Sequence, residues 1–275
     1  MPPCPDLPDP EASRQLADWL SGPRGRLLRR AQIGARDRVL EIGPGHGFVT
    51  SELTRRARGT VVTIDHSVDA RGAGIPACGR PEGPSTGCHP TSQCRPEGPN
   101  TRSKTEVSGP RPPALATLGD ALSLPFASHS FDLIFCQNVL LWTGPGAVAE
   151  AARVLQPGGA LVCIEPDFGG MLEWPDEIAL RDVWLRGLTA AGADPEIGRK
   201  LPGACESAGL DSWVELQNLP QPTTADAVRL CEGLPLSEAD SARVDAAAAA
   251  LADLLGAWSA FVHVPYVLVV AMKPW

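Results

Sequence analysis

The chain has one tyrosine against seven tryptophans, no stripe of lysine and arginine, and no apolar run of the roughly 20 residues that a membrane-spanning helix needs. Its 24 basic residues face 32 acidic ones, a formal charge of −8. An acidic chain without a basic patch is poorly built to hold a phosphate backbone, which excludes DNA as the expected partner and disfavours structured RNA. Met1–Pro10 is rich in Pro and Asp and lacks a basic segment followed by an apolar one, so no secretory signal is read there. Cys136 and Cys163 lie in apolar, strand-like runs, where a free thiol behaves as a small hydrophobe. These features predict a cytosolic protein with reduced thiols and no membrane span.

The chain is long enough, at 275 residues and 43% hydrophobic, to bury a full core. Apolar residues at helical spacing over 11–31 (Leu16, Trp19, Leu20, Leu27, Leu28) predict an N-terminal helical arm, broken in two by Pro23 and its flanking glycines. Arg38–Ile42 reads as a short buried strand ending in glycines. Phe48–Arg58 reads as a helix stopped by Gly59, and Thr60–Ile64 as a second strand closed by Asp65. Strand, glycine turn, helix, strand within about 30 residues is a parallel βαβ unit. Further strands are expected at Leu115–Leu118, Phe131–Cys136, Ala160–Glu165, Trp213–Leu216 and Tyr266–Met272. Helices are expected at Ala147–Leu155, Glu177–Ala191, Gly203–Ala208 and Ser237–Trp258, with a tight turn at Pro157–Gly159. The alternation specifies an α/β fold, a doubly wound, mostly parallel sheet in one domain, with a helical cap over 220–260.

Residues 71–113 depart from this rhythm. They are dense in Gly and Pro and nearly repeat themselves, Arg80-Pro-Glu-Gly-Pro against Arg95-Pro-Glu-Gly-Pro. Such a segment has too little apolar surface to offset the entropy of ordering, which predicts a mobile insertion. Cys78, Cys88, His89 and Cys94 fall inside it, but their C-x9-C-H-x4-C order lacks the paired C-x2-C of structural zinc sites, so no metal is expected.

Glu41-Ile-Gly-Pro-Gly-His-Gly47 is the first chemical mark. A glycine turn at the carboxyl end of a first strand lets backbone approach a ligand and sets a helix N-terminus beside it. The dinucleotide fingerprint G-x-G-x-x-G would need glycine where Phe48 stands, which turns the reading away from a nicotinamide-dependent oxidoreductase. Asp65, ending the second strand, is placed to accept from ribose hydroxyls, or to cap a following helix. Asp120, in Gly119-Asp120-Ala121, is placed for an adenine amine, or for an ordinary surface turn.

In ordered combination, RVLEIGPGHG (38–47), VVTIDHS (61–67), LGDALSLPFASHSFDLIFCQNVL (118–140) and EAARVLQPGGALVCIEPD (150–167) resemble class I S-adenosylmethionine-dependent methyltransferases of the type 11, ubiquinone/menaquinone-like group. The resemblance implies a Rossmann-like seven-stranded sheet, ordered 3-2-1-4-5-7-6 with the last strand antiparallel, and S-adenosyl-L-methionine as cofactor. It implies that Glu41, Gly43, Pro44, Gly45 and Gly47 approach the methionine moiety. Asp65 would hold the ribose and His66 would lie beside the adenine. Asp120 and Ala121 would contact the adenine, and Gln137 and Asn138 would lie near the methionine amino end or the substrate. The insertion after Asp65 departs from the family pattern, leaving either a short helix over Ser67–Ala70 or none.

Methyl transfer from a sulfonium is an in-line displacement, so the protein chiefly positions donor and acceptor, with a base needed only where the acceptor must lose a proton. Acceptor-side candidates near strand ends are Trp142, Glu173, Trp174 and His263: Trp142 and Trp174 as substrate wall or as ordinary packing, and His263 as a base or, more simply, as a satisfied structural histidine. His46 reads as a contact within the glycine turn, and His129 as solvent-exposed. The expected partner is a small methyl acceptor, lipophilic ones included. A degenerate fold that binds the cofactor weakly or serves as an interaction module is the alternative.

Overall fold

The structure, a computed structural model, describes residues 9–66, 114–217, 220–223, 227–228, 230–254, 256 and 258–275. The expected mobile insertion, the Cys78/Cys88/His89/Cys94 cluster and the Ser67–Ala70 helix lie outside these.

Helices α1 (Pro10–Trp19) and α2 (Ser21–Arg30) form the N-terminal arm. Asp9 caps α1, its carboxylate accepting from the N–H groups of Glu11 and Ala12, and Pro10 fits the first turn, where no N–H is needed. The chain breaks at Leu20, not at Pro23, because Pro23 sits in the first turn of α2 and is tolerated there. Leu20, Leu27 and Leu28 are fully buried; each contributes about 1.5–3 kcal/mol through burial.

The sheet is built from β1 (Arg38–Ile42), β2 (Thr60–Asp65), β3 (Leu115–Leu118), β4 (Phe131–Gln137), β5 (Leu155–Pro166), β7 (Asp211–Gln217) and β10 (Tyr266–Met272). Their spatial order is β3-β2-β1-β4-β5-β10-β7, with β10 antiparallel to both neighbours. This is the order expected, and the fold is the Rossmann-like one. Two cores share the strands by alternation. Ile134 and Cys136 face one side with Leu161, Cys163, Val267 and Val269, while Leu133 and Phe135 face the other with Val162, Ile164, Leu268 and Val270. The first side is covered by α5 (Gly146–Val154) and α7 (Ile197–Ser207), the second by α1, α2 and α3 (Phe48–Arg56).

Helix α3 ends at Arg56, two residues short of the expected Arg58, and Gly59 is not its stop. A Cβ on Gly59 would lie 2.1 Å from the Asp37 carbonyl oxygen, so glycine there serves close backbone approach between loops. Pro157–Gly159 is not a separate turn either. It forms the irregular start of β5, where the register against β4 shifts and Gly158 takes φ +73°.

Beyond β5 the chain builds a cap. Strands β6 (Leu172–Trp174), β8 (Gln221–Pro222) and β9 (Phe261–His263) make a small antiparallel sheet, ordered β6-β9-β8. Helix α6 (Arg181–Ala190) and helix α8 (Glu238–Ala252) enclose a third cluster with it, including Ile178, Val183, Val244 and Ala247. The cap is therefore part sheet, where only helix was expected over 220–260. Tyr266–Met272 matches its expected bounds because seven apolar residues without a breaker leave one solution.

Candidate active site

The carboxyl ends of β1, β2, β3 and β4 stop at one level. Ile42 pairs with Ile64 and with Cys136, and Asp65 pairs with Leu118. Beyond that line the Gly43 N–H donates to the Ile64 carbonyl (2.9 Å), and the Gly119 N–H donates to the Asp65 carbonyl (2.9 Å). The four expected clusters, Gly43–Gly47, Asp65–His66, Gly119–Ala121 and Gln137–Asn138, thus line one edge. A crevice at that edge, beside a helix N-terminus, is the general binding position of such sheets.

Within the glycine turn Gly43, Gly45 and Gly47 all have positive φ (+68°, +52° and +77°). A Cβ on Gly43 would also stand 2.5 Å from Val139 Cγ2, so the turn nests against the segment after β4 only without a side chain. Gly47 leads directly into α3, leaving the first-turn N–H groups of that helix open toward the turn. Glu41 lies buried beneath; its carboxylate accepts from Thr50 Oγ1 at 2.6 Å, and burial pushes its pKa up to about 7. It supports the turn from below.

Asp65 is buried, with His66 Nδ1 3.1 Å from its Oδ1, while the His66 ring is largely exposed. Asp120 is exposed and accepts from the Leu122 N–H at 2.8 Å, so it also fixes its own turn. Ala121 is buried beside it. Asn138 takes left-handed φ (+57°), and its Oδ1 is buried without a hydrogen bond among the described residues. A buried acceptor without a donor is costly, at about 1–3 kcal/mol. These residues fit an adenosyl sulfonium: a carboxylate at the second strand end, a side-chain-free turn at the first, and an acceptor awaiting a donor at the fourth.

Three contributors had no assigned role from sequence. Glu165, fully buried at the end of β5, accepts from the N–H groups of Val139 (2.9 Å), Leu140 (3.0 Å) and Leu141 (3.2 Å). It thereby pins the turn between β4 and the short helix α4 (Leu140–Thr143), and burial raises its pKa to about 7. Tyr266, buried at the start of β10, bonds Asn138; burial first and then the Glu165 charge raise its pKa. Arg24 reaches Gln137 from α2. A charged residue closing an apolar run, as in LVCIEP, is a readable sign for Glu165. Arg24 sits among Arg26, Arg29 and Arg30, and nothing in the sequence singles it out.

On the acceptor side the structure separates the candidates. Glu173 turns away: its carboxylate accepts from the Leu180 (2.6 Å) and Arg181 (3.0 Å) N–H groups and caps α6. That corrects its expected acceptor-side role, since its oxygens are committed to a helix end. Leu172 and Trp174 stand on the face of the cap sheet away from Glu173, paired on that same face with His263 and Phe261. Trp174 is 56% exposed; His263 is 2% exposed, and burial lowers its pKa, so its imidazole is neutral at pH 7. Trp142 is half-buried against the core. His129 is exposed, as expected. Among the described residues no cluster of three or more His, Cys, Asp or Glu is arranged for a metal, and no helix is long and apolar enough to cross a membrane.

Residues 98–163 match the family Methyltransf_11, described as "Methyltransferase domain". Methyltransferase GfsG of Streptomyces halstedii is 26% identical over 218 residues, 78% of this chain and 67% of that protein. The ubiquinone/menaquinone biosynthesis C-methyltransferase UbiE of Paracoccus denitrificans is 29% identical over 159 residues, 54% of this chain and 52% of that protein. The matches thus span from about half to two thirds of these relatives' lengths. Among solved structures, a putative methyltransferase from Bacillus halodurans superposes with TM-score 0.59 at 15% identity, covering 91% of this chain and 98% of that one. Geranyl diphosphate C-methyltransferase from Streptomyces coelicolor A3(2), in complex with Mg2+, geranyl diphosphate and S-adenosyl-L-homocysteine, gives 0.52 at 15%, covering 97% and 86%. These structures share the fold.

Proposed function

We infer, from a chain whose residues 98–163 match the methyltransferase-domain family and whose sheet has the class I methyltransferase fold, that it transfers a methyl group from S-adenosyl-L-methionine to a small, lipophilic acceptor. One observation carries the reading: Gly43–Gly47, Asp65, Gly119–Ala121 and Gln137–Asn138 meet along the ends of four adjacent strands. When bound, the donor supplies the transferable methyl group on its sulfonium. Glu41 supports the glycine turn, Asp65 accepts from the ribose hydroxyls, and the turn admits the methionine portion. Ala121 and His66 flank the adenine.

The acceptor class rests on the cap. Leu172, Trp174 and Phe261 share one face of its small sheet with His263, giving an apolar, aromatic wall with one neutral base. That wall suits a lipophilic acceptor, and His263 can take a proton where the methylated atom must lose one. The ubiquinone/menaquinone biosynthesis C-methyltransferase among the similar proteins favours the same class.

Calorimetric titration with S-adenosylmethionine, S-adenosylhomocysteine and NAD tests the donor assignment. Binding of the first two without the third is expected. Binding of NAD alone overturns the reading, and binding of none favours a degenerate fold that works as an interaction module.

A further inference from the structure

Arg24 ties the arm, α3 and the tip of β4 together through one side chain. Although it belongs to a surface-type sequence, SGPRGRLLRR, it is only 4% exposed. Its Nε donates to Glu52 Oε2 on α3 at 2.7 Å. Its Nη1 donates to the Ala17 carbonyl of α1 at 3.0 Å and to Gln137 Oε1 at 3.2 Å. Arg56 holds the other Glu52 oxygen at 3.0 Å, which fixes the carboxylate against which Arg24 is set. The arm is seated nearby by a second contact, Trp19 edge-on against Tyr266 with centroids 5.4 Å apart.

The chemistry of this bond orients Gln137. A guanidinium carries five N–H donors and no acceptor, so the carboxamide must turn its oxygen to Arg24. The amide nitrogen, with two N–H groups, is then the end left for the crevice, and no group among the described residues accepts from it. A pair of donors matches a carboxylate; it repels an ammonium, which also only donates. Of the two ends of the donor's amino acid, Gln137 so held can take only the carboxylate. Asn138, with its buried, unbonded Oδ1, offers the complementary acceptor one residue along.

We propose that Arg24 is a positioning residue that locks Gln137 as an N–H donor for the carboxylate of the methyl donor's amino-acid end. The proposal rests on the methyl-donor reading above. Arg24 itself touches no reactant; it acts through Gln137 and through the seating of the arm.

The test is calorimetry with two probes, S-adenosylhomocysteine and 5′-methylthioadenosine, which shares the adenosine and sulfur but lacks the amino acid. Gln137→Ala and Arg24→Met should each weaken S-adenosylhomocysteine roughly 10- to 100-fold, the scale of a hydrogen bond to a charged group, and change methylthioadenosine less than about twofold. The double variant should be no weaker than Gln137→Ala alone, since Arg24 works through that residue. Gln137→Glu keeps the Arg24 contact and charges it, so its melting temperature should not fall, yet it too should lose S-adenosylhomocysteine. Equal losses for both probes, or additive losses in the double variant, overturn the proposal in favour of a merely structural Arg24. If Arg24→Met does not fold, the two Gln137 variants decide. Wild-type protein that binds neither probe refutes the methyl-donor reading, and the proposal falls with it.

Discussion

Replacing Glu165 by glutamine should make the protein's stability respond differently to pH. In the folded chain burial raises the Glu165 pKa from 4.5 to about 7. Below pH 4.5 folded and unfolded chains both carry the proton, and the buried neutral acid is fully tolerated. Between 4.5 and about 7 the unfolded chain ionises while the folded one holds its proton, so stability falls as pH rises through this window. The rise corresponds to about 3 kcal/mol at about 1.4 kcal/mol per tenfold change. Glutamine cannot ionise, and it presents one oxygen to three backbone donors that now share two, so Glu165→Gln carries a pH-independent cost of about 1–3 kcal/mol for the misfit. Urea denaturation of both proteins at pH 5 and pH 8 isolates the effect by difference. The wild type should lead clearly at pH 5, and its lead should shrink by up to about 3 kcal/mol at pH 8. A lead that stays constant, or grows toward pH 8, would refute the argument that desolvation outweighs the three N–H bonds at this carboxylate.

Asp65→Ala should weaken S-adenosylhomocysteine by about 1–3 kcal/mol in calorimetry with the fold intact; unchanged affinity would remove Asp65 from the donor site. Gly43→Ala meets both a left-handed φ and a 2.5 Å approach to Val139, so a loss of about 1–3 kcal/mol in stability is expected, partly recovered by adding Val139→Ala. Glu173→Ala should cost about 0.5–2 kcal/mol in thermal unfolding by uncapping α6 while leaving S-adenosylhomocysteine affinity unchanged. A large fall in that affinity would return Glu173 to the site.

The parts of this fold that were readable from sequence are those where one periodicity dominates. Tyr266–Met272 is an uninterrupted apolar run with sharp ends, and Arg38–Ile42 is closed by the glycine turn that follows it, so their bounds follow directly. The small cap sheet was not readable because β6 and β9 are three residues each and β8 two, too short for an alternation to declare itself. The glycine turn was legible because glycine stands at each of the three alternating positions, 43, 45 and 47, that take positive φ. Glu173 misled for a related reason: its place after β5 fits an acceptor-facing side chain as well as a capping one. Only the fold shows which way it turns, with Leu180 and Arg181 brought back against it. Arg24 depends on partners 7, 28 and 113 residues distant, and no local pattern encodes such a meeting.

The place of β10 bears on how the molecule is assembled. It lies between β5 and β7, pairing along its whole length with both, yet it follows them in the chain. During synthesis β5 and β7 therefore emerge with a vacant slot between them, and each presents an unsatisfied ladder edge until Tyr266–Met272 arrives. Such edges are templates for pairing with other chains. Until that strand arrives the two edges stay open to such pairing, and insertion of one central strand, by contacts up to 112 residues apart in sequence, closes both.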